Sequence, residues 1–185
     1  MRIVGGKHKG RPLITPKGQT TRPTSDRARE SVFNVLAHGI EGVQIIGARV
    51  CDIFAGTGAL GLEALSRGAV SCIFIENEKS ALMVLEQNIN ALGEQKTTTL
   101  IRANALKAPA PPGGAVDIAF LDAPYNRGLT LPTLEHLATN GWFRPAGIVI
   151  VEIANNEQFQ PPGAFTVIKE KPTGRARNVF IRYMP

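Results

Sequence analysis

Asp122-Ala123-Pro124-Tyr125 brings together the residue types best suited to chemistry in this 185-residue chain. A carboxylate, a backbone carbonyl held ahead of a proline, and an aromatic ring follow one another at the end of the apolar run Val116 to Leu121. Asp122 and the Ala123 carbonyl can accept the two N–H groups of a planar amine and turn its lone pair toward an electrophile. An exocyclic amine of a nucleobase needs that help, because its lone pair is delocalised into the ring; the rate gain comes from proximity and orientation. Tyr125 can stack on a base lifted out of its strand, worth about 1–3 kcal/mol. The amine proton then leaves to Asp122 or to water. Taken alone, D-x-P is also an ordinary strand-ending turn.

The second chemical stretch is Val50-Cys51-Asp52-Ile53-Phe54-Ala55-Gly56-Thr57-Gly58-Ala59-Leu60-Gly61. An apolar run reaches an acid, a glycine-rich turn follows, and Leu60, Leu62, Ala64 and Leu65 resume at helical spacing. That order predicts a strand, a tight turn and a helix. Gly56 and Gly58 lack a Cβ, so a ligand can approach closely while N–H groups of the new helix face it. Gly56 to Gly61 fits G-x-G-x-x-G, and Glu76 stands twenty residues beyond Gly56, where a carboxylate can accept ribose hydroxyls. The glycines suit either a dinucleotide or S-adenosylmethionine. Asp52 favours the latter, since an acid repels a pyrophosphate and welcomes a cationic amino-acid moiety through water or directly; no separate substrate domain is expected either. The cofactor set on this reading is Asp52, Phe54, Gly56, Thr57, Gly58, Ala59, Glu76, Asn104 and Ala105. Asn104 serves either the adenine edge or turn chemistry of its own.

The elements that must position these residues follow from periodicity and punctuation. Met1–Val4 and Pro12–Ile14 read as a small hairpin around a basic tip, Gly5 to Gly10. Arg27–His38 carries an apolar stripe (Ala28, Val32, Phe33, Val35, Leu36), capped by Thr24 or Ser25, with Asp26 at its positive end. Arg27 and Arg29 are expected to point away from that stripe. Gly39–Gly47 is a linker to the first core strand. Further strands are expected at Val70–Ile75, Thr97–Ile101, Val116–Leu121 and Gly147–Ile153, with helices at Lys79–Leu92 and Leu129–Thr139. Phe165–Lys169 and Val179–Tyr183 form a closing antiparallel pair. Strands alternating with helices argue an α/β fold with a parallel sheet covered on both faces.

No apolar run approaches the roughly 20 residues of a bilayer span, and Met1 to Gly10 lacks a signal-peptide core. A soluble, cytoplasmic protein is expected. Cys51 and Cys72 sit in apolar strands as buried thiols, and no Cys–His cluster has metal-ligand spacing, so no metal is expected. The net charge of +6 is concentrated: residues 1–30 hold eight Lys/Arg against Asp26 and Glu30, while the remainder balances. A neutral body behind a basic leader suits a polyanion such as nucleic acid; the plainer alternative is a solvated arm.

Across almost its whole length the chain resembles class I S-adenosylmethionine-dependent methyltransferases, and more narrowly the RsmD family of 16S ribosomal RNA guanine-N2 methyltransferases. The resemblance is carried by Arg2-Ile3-Val4-Gly5-Gly6 with Gly10-Arg11, by Arg22-Pro23-Thr24-x-Asp26-Arg27-x-Arg29-Glu30, by the block Asp52 to Ala69, and by Asp122-x-Pro124-Tyr125-x-Arg127-Gly128. It implies a Rossmann-like seven-stranded, mostly parallel sheet with helices on both faces, an antiparallel C-terminal strand and a small N-terminal hairpin-and-helix extension. The extension spans residues 1–40 and the methyltransferase domain 41–185. Asp122, Ala123, Pro124 and Tyr125 form the implied reactive motif. Arg2, Lys7, Lys9, Arg11, Arg22, Arg27, Arg29 and Arg127 form the expected RNA contacts. The partner implied is 16S ribosomal RNA or a small-subunit assembly particle, met by a monomer. The family's motif is usually D-P-P-[FY]; Ala123 replaces its first proline, which keeps the carbonyl but loosens the loop. Two rivals stay open on the residues alone: an NAD(P)-dependent oxidoreductase, and a non-catalytic RNA-binding assembly factor.

Overall fold

The computed structural model describes residues 1–15, 26–125 and 127–185. Seven strands form one sheet in the order β3-β2-β1-β4-β5-β7-β6. They are β1 (Arg49–Ile53), β2 (Ser71–Glu76), β3 (Thr98–Arg102), β4 (Val116–Leu121), β5 (Phe143–Ala154), β6 (Phe165–Thr173) and β7 (Ala176–Tyr183). β1 to β5 pair in parallel, and β7 runs antiparallel between β5 and β6. The helices are α1 (Asp26–His38), α2 (Ala59–Ser66), α3 (Lys79–Leu92) and α4 (Thr130–Thr139).

Strand alternation sorts the core into two layers. Val50, Phe74, Phe120, Ile150 and Phe180 face α1, α2 and α3, whose Phe33, Leu36, Leu62, Leu65, Leu85 and Ile89 share that layer. Cys51, Ile53, Ile75, Leu121, Val151 and Ile181 face the opposite way, against Leu134 and Leu137 of α4 and the fully buried Trp142. Both thiols are buried and unlinked. Among the described residues no helix is long and apolar enough to cross a membrane.

Two elements run longer than their sequence suggested. β5 starts at Phe143 instead of Gly147, because the backbone absorbs the irregularity at Ala146 (φ 63) and shifts register against β4 rather than ending. The closing pair extends to Thr173 and Ala176 around Gly174 (φ 69), with Pro172 tolerated because β6 is an edge strand.

The N-terminal hairpin is minimal: one antiparallel bridge, Arg2 to Pro12, with Ile3 N–H on Arg11 O and Leu13 N–H on Met1 O. Its tip is a docked 3₁₀ turn, Gly6–His8, in place of a free basic loop. Val4 N–H donates to the buried Glu63 (2.8 Å), His8 N–H to Ser66 Oγ (2.9 Å), and Ser66 Oγ to Gly5 O (2.5 Å). Gly6 has φ +74, and a Cβ there would lie 1.8 Å from Ser66 O, so this close approach demands glycine. Asn88 of α3 completes the docking by exchanging bonds with Ile14 N–H and O while donating to Thr57 O. The caps proposed for α1, Thr24 and Ser25, lie outside the described residues.

Candidate active site

The register of the sheet sets up a polar row at the carboxyl ends of its strands. Phe74, Asp52, Phe120, Ile150, Phe180 and Lys169 lie side by side across six strands. Two positions further on stand Glu76, Asp122, Glu152, Asn178 and Lys171. Glu152 pairs with Asn178 and Asn178 with Lys171, while Asp122 follows Leu121, the partner of Val151. Alternation therefore puts Asp52, Asp122 and Glu152 on the face that carries α1 to α3. The open edge of an α/β sheet is where ligands bind.

The glycine turn follows β1, between Glu76 and Asp122 in this row. Phe54 takes φ 61, a left-handed conformation that costs a non-glycine residue about 1–3 kcal/mol and clusters at functional sites. Gly56 N–H donates to Glu76 Oε2 (2.8 Å), and Glu76 Oε1 accepts Asn77 N–H (2.8 Å) and Glu78 N–H (2.9 Å). Glu76 thus ties the β1–α2 turn to the β2–α3 turn and keeps an acceptor site on Oε2. The glycines divide by what surrounds them. A Cβ on Gly58 (φ +76) would meet Leu85 Cδ1 at 2.3 Å and one on Gly61 would meet Phe74 Cε1 at 2.4 Å, so both are packing positions. A Cβ on Gly56 (φ +53) would meet nothing nearer than Phe54 O at 4.0 Å. Gly56 borders open space, as a cofactor-facing turn requires.

Asp52 has a structural partner of its own. It is 2% exposed and accepts the N–H of Gly61 at 2.8 Å, satisfying one of the unpaired donors in the first turn of α2. Burial pushes its pKa up to about 7 against the opposing Gly61 bond, and the charge of Glu76 adds to the rise. It braces the turn from below. An acid that ionises later in the native state than in the unfolded chain keeps its proton while the unfolded chain loses its own, so native stability falls as pH rises across that window. Asp52→Asn keeps an acceptor for Gly61 and removes the titration. Between about pH 4 and pH 7, melting temperatures should fall more steeply in the parent than in Asp52→Asn; parallel curves would refute the buried charge.

Around the turn, Thr57 and Ala59 line α2's entry, with Thr57 Oγ1 3.8 Å from Met1 Sδ. Asn104 is exposed and its Oδ1 accepts Leu106 N–H (3.0 Å), capping a short 3₁₀ turn, Ala105–Lys107. The turn chemistry weighed from sequence is present, and the amide nitrogen makes no bond among the described residues. Ala105 is buried beneath.

At the centre of the row, Asp122 N–H reaches Ile53 O (3.4 Å), holding the β4 end against β1. Its carboxyl is pushed well above the ordinary range by burial first, then by Glu152, then by Asp52. Ala123 is buried, Pro124 exposed, and the half-buried Tyr125 donates its hydroxyl to Glu152 Oε1. Among the described residues no cluster of three His, Cys, Asp or Glu is placed to hold a metal ion.

The basic leader is partly structural. Arg2 pairs with Asp26 (2.9 Å), Lys7 with Glu94 (2.8 Å), and Arg11 donates to Ala91 O (2.9 Å), so three cations help hold the hairpin down. Arg29, expected on the exposed side of α1, is instead fully buried, donating to Arg2 O (2.5 Å) and Asp26 (2.8 Å). A guanidinium so enclosed cannot reach a phosphate. Lys9, Arg27 and Arg127 are exposed, and Arg22 lies outside the described residues. Arg27 opens a groove of about 380 Å³ between α1 and β6, which also holds Ser31, Asn34, His38, Lys169 and Lys171, with Glu30 as its acid. Lys171 is the β6 end of the polar row, one strand beyond Asn178.

The family model described as Conserved hypothetical protein 95 matches residues 1–182. The chain is 36% identical over 176 residues to Ribosomal RNA small subunit methyltransferase D of Escherichia coli, covering 95% of this chain and 86% of that protein. The corresponding Haemophilus influenzae protein is 32% identical over 177 residues, covering 94% and 89%. The chain belongs to the RsmD family. Among solved structures, a putative methyltransferase, yhhF, from Escherichia coli matches with a TM-score of 0.85 at 32% identity, covering 100% of this chain and 98% of that one. The seven-stranded, mostly parallel sheet and the antiparallel C-terminal strand expected from the RsmD resemblance are those observed. Glu152, Asn178, Lys169 and Lys171 are the additions that structure makes to this RsmD-family site. Glu152 had a signal in the sequence: it is the one charge inside the apolar run Gly147 to Ile153.

Proposed function

We propose that the protein transfers a methyl group from S-adenosylmethionine to the exocyclic N2 amine of a guanine in small-subunit ribosomal RNA, on naked RNA or on an assembly particle. One observation carries this reading: the open glycine turn at Gly56 and the Asp122-Ala123-Pro124-Tyr125 motif end adjacent parallel strands on one edge. Gly56, Glu76 Oε2, Phe54 and Asn104 would hold the cofactor, with Asp52 bracing the turn. Bound there, it supplies an electrophilic methyl on a sulfonium centre. Asp122 and the Ala123 carbonyl accept the amine N–H groups and aim the nitrogen lone pair, and Asp122 or water takes the proton released as the N–C bond forms. Tyr125 stacks on the flipped base.

Transfer of labelled methyl to small-subunit RNA, with N2-methylguanosine recovered on digestion, tests the reading. No transfer would leave the non-catalytic assembly factor. S-adenosylhomocysteine, and not NADH, should raise the melting temperature.

The RNA path runs from residues 1–40 into the α1–β6 groove. Lys9, Arg27, Lys169 and Lys171 make no ion pair among the described residues, unlike Arg2 and Lys7. Replacing those four by Gln should weaken RNA binding at least about tenfold and lower the slope of log affinity against log salt by about 3–4. An unchanged slope would reduce the groove to a solvated surface.

A further inference from the structure

Glu152 is an acid among acids. Its neighbours in the row are Asp122 and Asn178, and no cation lies within ion-pair distance of it among the described residues. Asn178, its cross-strand partner, is turned to Thr173 Oγ1 (2.8 Å) and gives it nothing. The Tyr125 hydroxyl is the donor that reaches it, on Oε1. A carboxylate has about four lone-pair sites, so Glu152 keeps acceptor capacity beyond the Tyr125 bond, next to Asp122 in the row. Packing does not require this arrangement. Two carboxyls side by side repel, and the neighbouring Glu152 is one reason the Asp122 carboxyl holds its proton above the ordinary range, an arrangement retained for function rather than for stability.

Resting on the amine-methylation reading above, we infer that Glu152 selects guanine by accepting the ring N1–H next to the reacting amine, with Tyr125 holding the carboxylate in place. The chemistry is discriminating. Guanine, adenine and cytosine all carry an exocyclic amine. Only guanine has a ring N–H donor on the Watson–Crick edge beside it; adenine N1 and cytosine N3 are acceptors there. With the amine fixed by Asp122 and Ala123, a carboxylate at that neighbouring position gains a charge-assisted bond from guanine and meets a lone pair in the other two. A site built to bond a donor rejects a base that lacks it more strongly than an apolar pocket can.

The test compares the parent with Glu152→Gln and Tyr125→Phe on unmethylated small-subunit RNA. Its readouts are kcat/KM, S-adenosylhomocysteine binding, melting temperature and the identity of the methylated nucleoside. Glu152→Gln should lose about 100-fold or more in kcat/KM for guanine, with S-adenosylhomocysteine binding held within about threefold. Residual methyl should spread to adenosine, because the Gln amide donates to adenine N1. Its melting temperature should rise, since a repulsive charge is gone; a purely structural residue would move it down. Tyr125→Phe should show a smaller loss of guanine preference, and it decides the matter alone if Glu152→Gln fails to fold. Parental guanine rate and preference in either variant that folds would overturn the assignment. A parent that makes no N2-methylguanosine would instead sink the amine-methylation reading itself, which separates the two failures.

Discussion

Replacing Asp122 with alanine is expected to lower methyl transfer by at least about 10³-fold while S-adenosylhomocysteine still binds. The proposed methyl-carrying and amine-holding halves of the site lie on adjacent strands, β1 and β4, so one can be emptied without dismantling the other. The folded state should not suffer, because Asp122 is a half-buried acid facing Glu152 and Asp52, and its removal relieves repulsion. The same crowding predicts the pH profile. Amine orientation needs the ionised acceptor, and Asp122 holds its proton above the usual carboxylate range. The transfer rate should therefore rise with pH through a window above that range, and Asp122→Asn should lack this limb. Activity in Asp122→Ala close to the parent's would remove Asp122 from the reaction.

The second large effect separates three glycines that look alike in sequence. Gly61→Ala forces a Cβ to 2.4 Å from Phe74 Cε1 and 2.5 Å from Cys72 Sγ, both in the core between α2 and β2. Overpacking of this kind costs about 1–3 kcal/mol or more, so a marked fall in melting temperature is expected. Gly58→Ala adds a left-handed φ of +76 to a 2.3 Å clash with Leu85 and should be worse. Gly56→Ala meets open space, so its cost is chiefly the backbone conformation, about 1 kcal/mol. It should fold, yet bind S-adenosylhomocysteine at least about tenfold more weakly, because the methyl occupies the ligand's approach. Cofactor affinity at the parental level in Gly56→Ala would place the ligand elsewhere.

Much of the frame is legible in the sequence. β4 (Val116–Leu121) and α3 (Lys79–Leu92) were expected with the bounds observed, because each is an apolar pattern closed by strong punctuation, such as Gly93 in the left-handed region (φ 72). Asp122-Ala123-Pro124-Tyr125 was legible because strand polarity alone delivers it to the binding edge. What escaped was which face a charged residue takes. Arg29 was read as exposed by its charge, although Arg29, Val32, Phe33 and Leu36 repeat at i, i+3, i+4 and i+7, and the buried guanidinium follows that stripe. The place of Asp52 at the strand end suggests a cofactor contact through water or directly, but its bond to Gly61, nine residues on, is not foreseeable from that place. Glu152 and Lys171 could not be joined to Asp122 without cross-strand register, which depends on pairings far apart in the chain.

β6 carries a further consequence. It is an edge strand of nine residues, Phe165–Thr173, with Val167 40% and Ile168 36% exposed, and β7 is its partner on one side. A long, partly apolar edge invites a second chain to add a strand to it. Lys169, Lys171, Pro172 and the register shift between Val167 and Lys169 are the features that discourage this. The lysines that line the groove therefore also guard the sheet against self-association. Neutralising them exposes an aggregation surface, and RNA-binding measurements on those variants should be accompanied by light scattering.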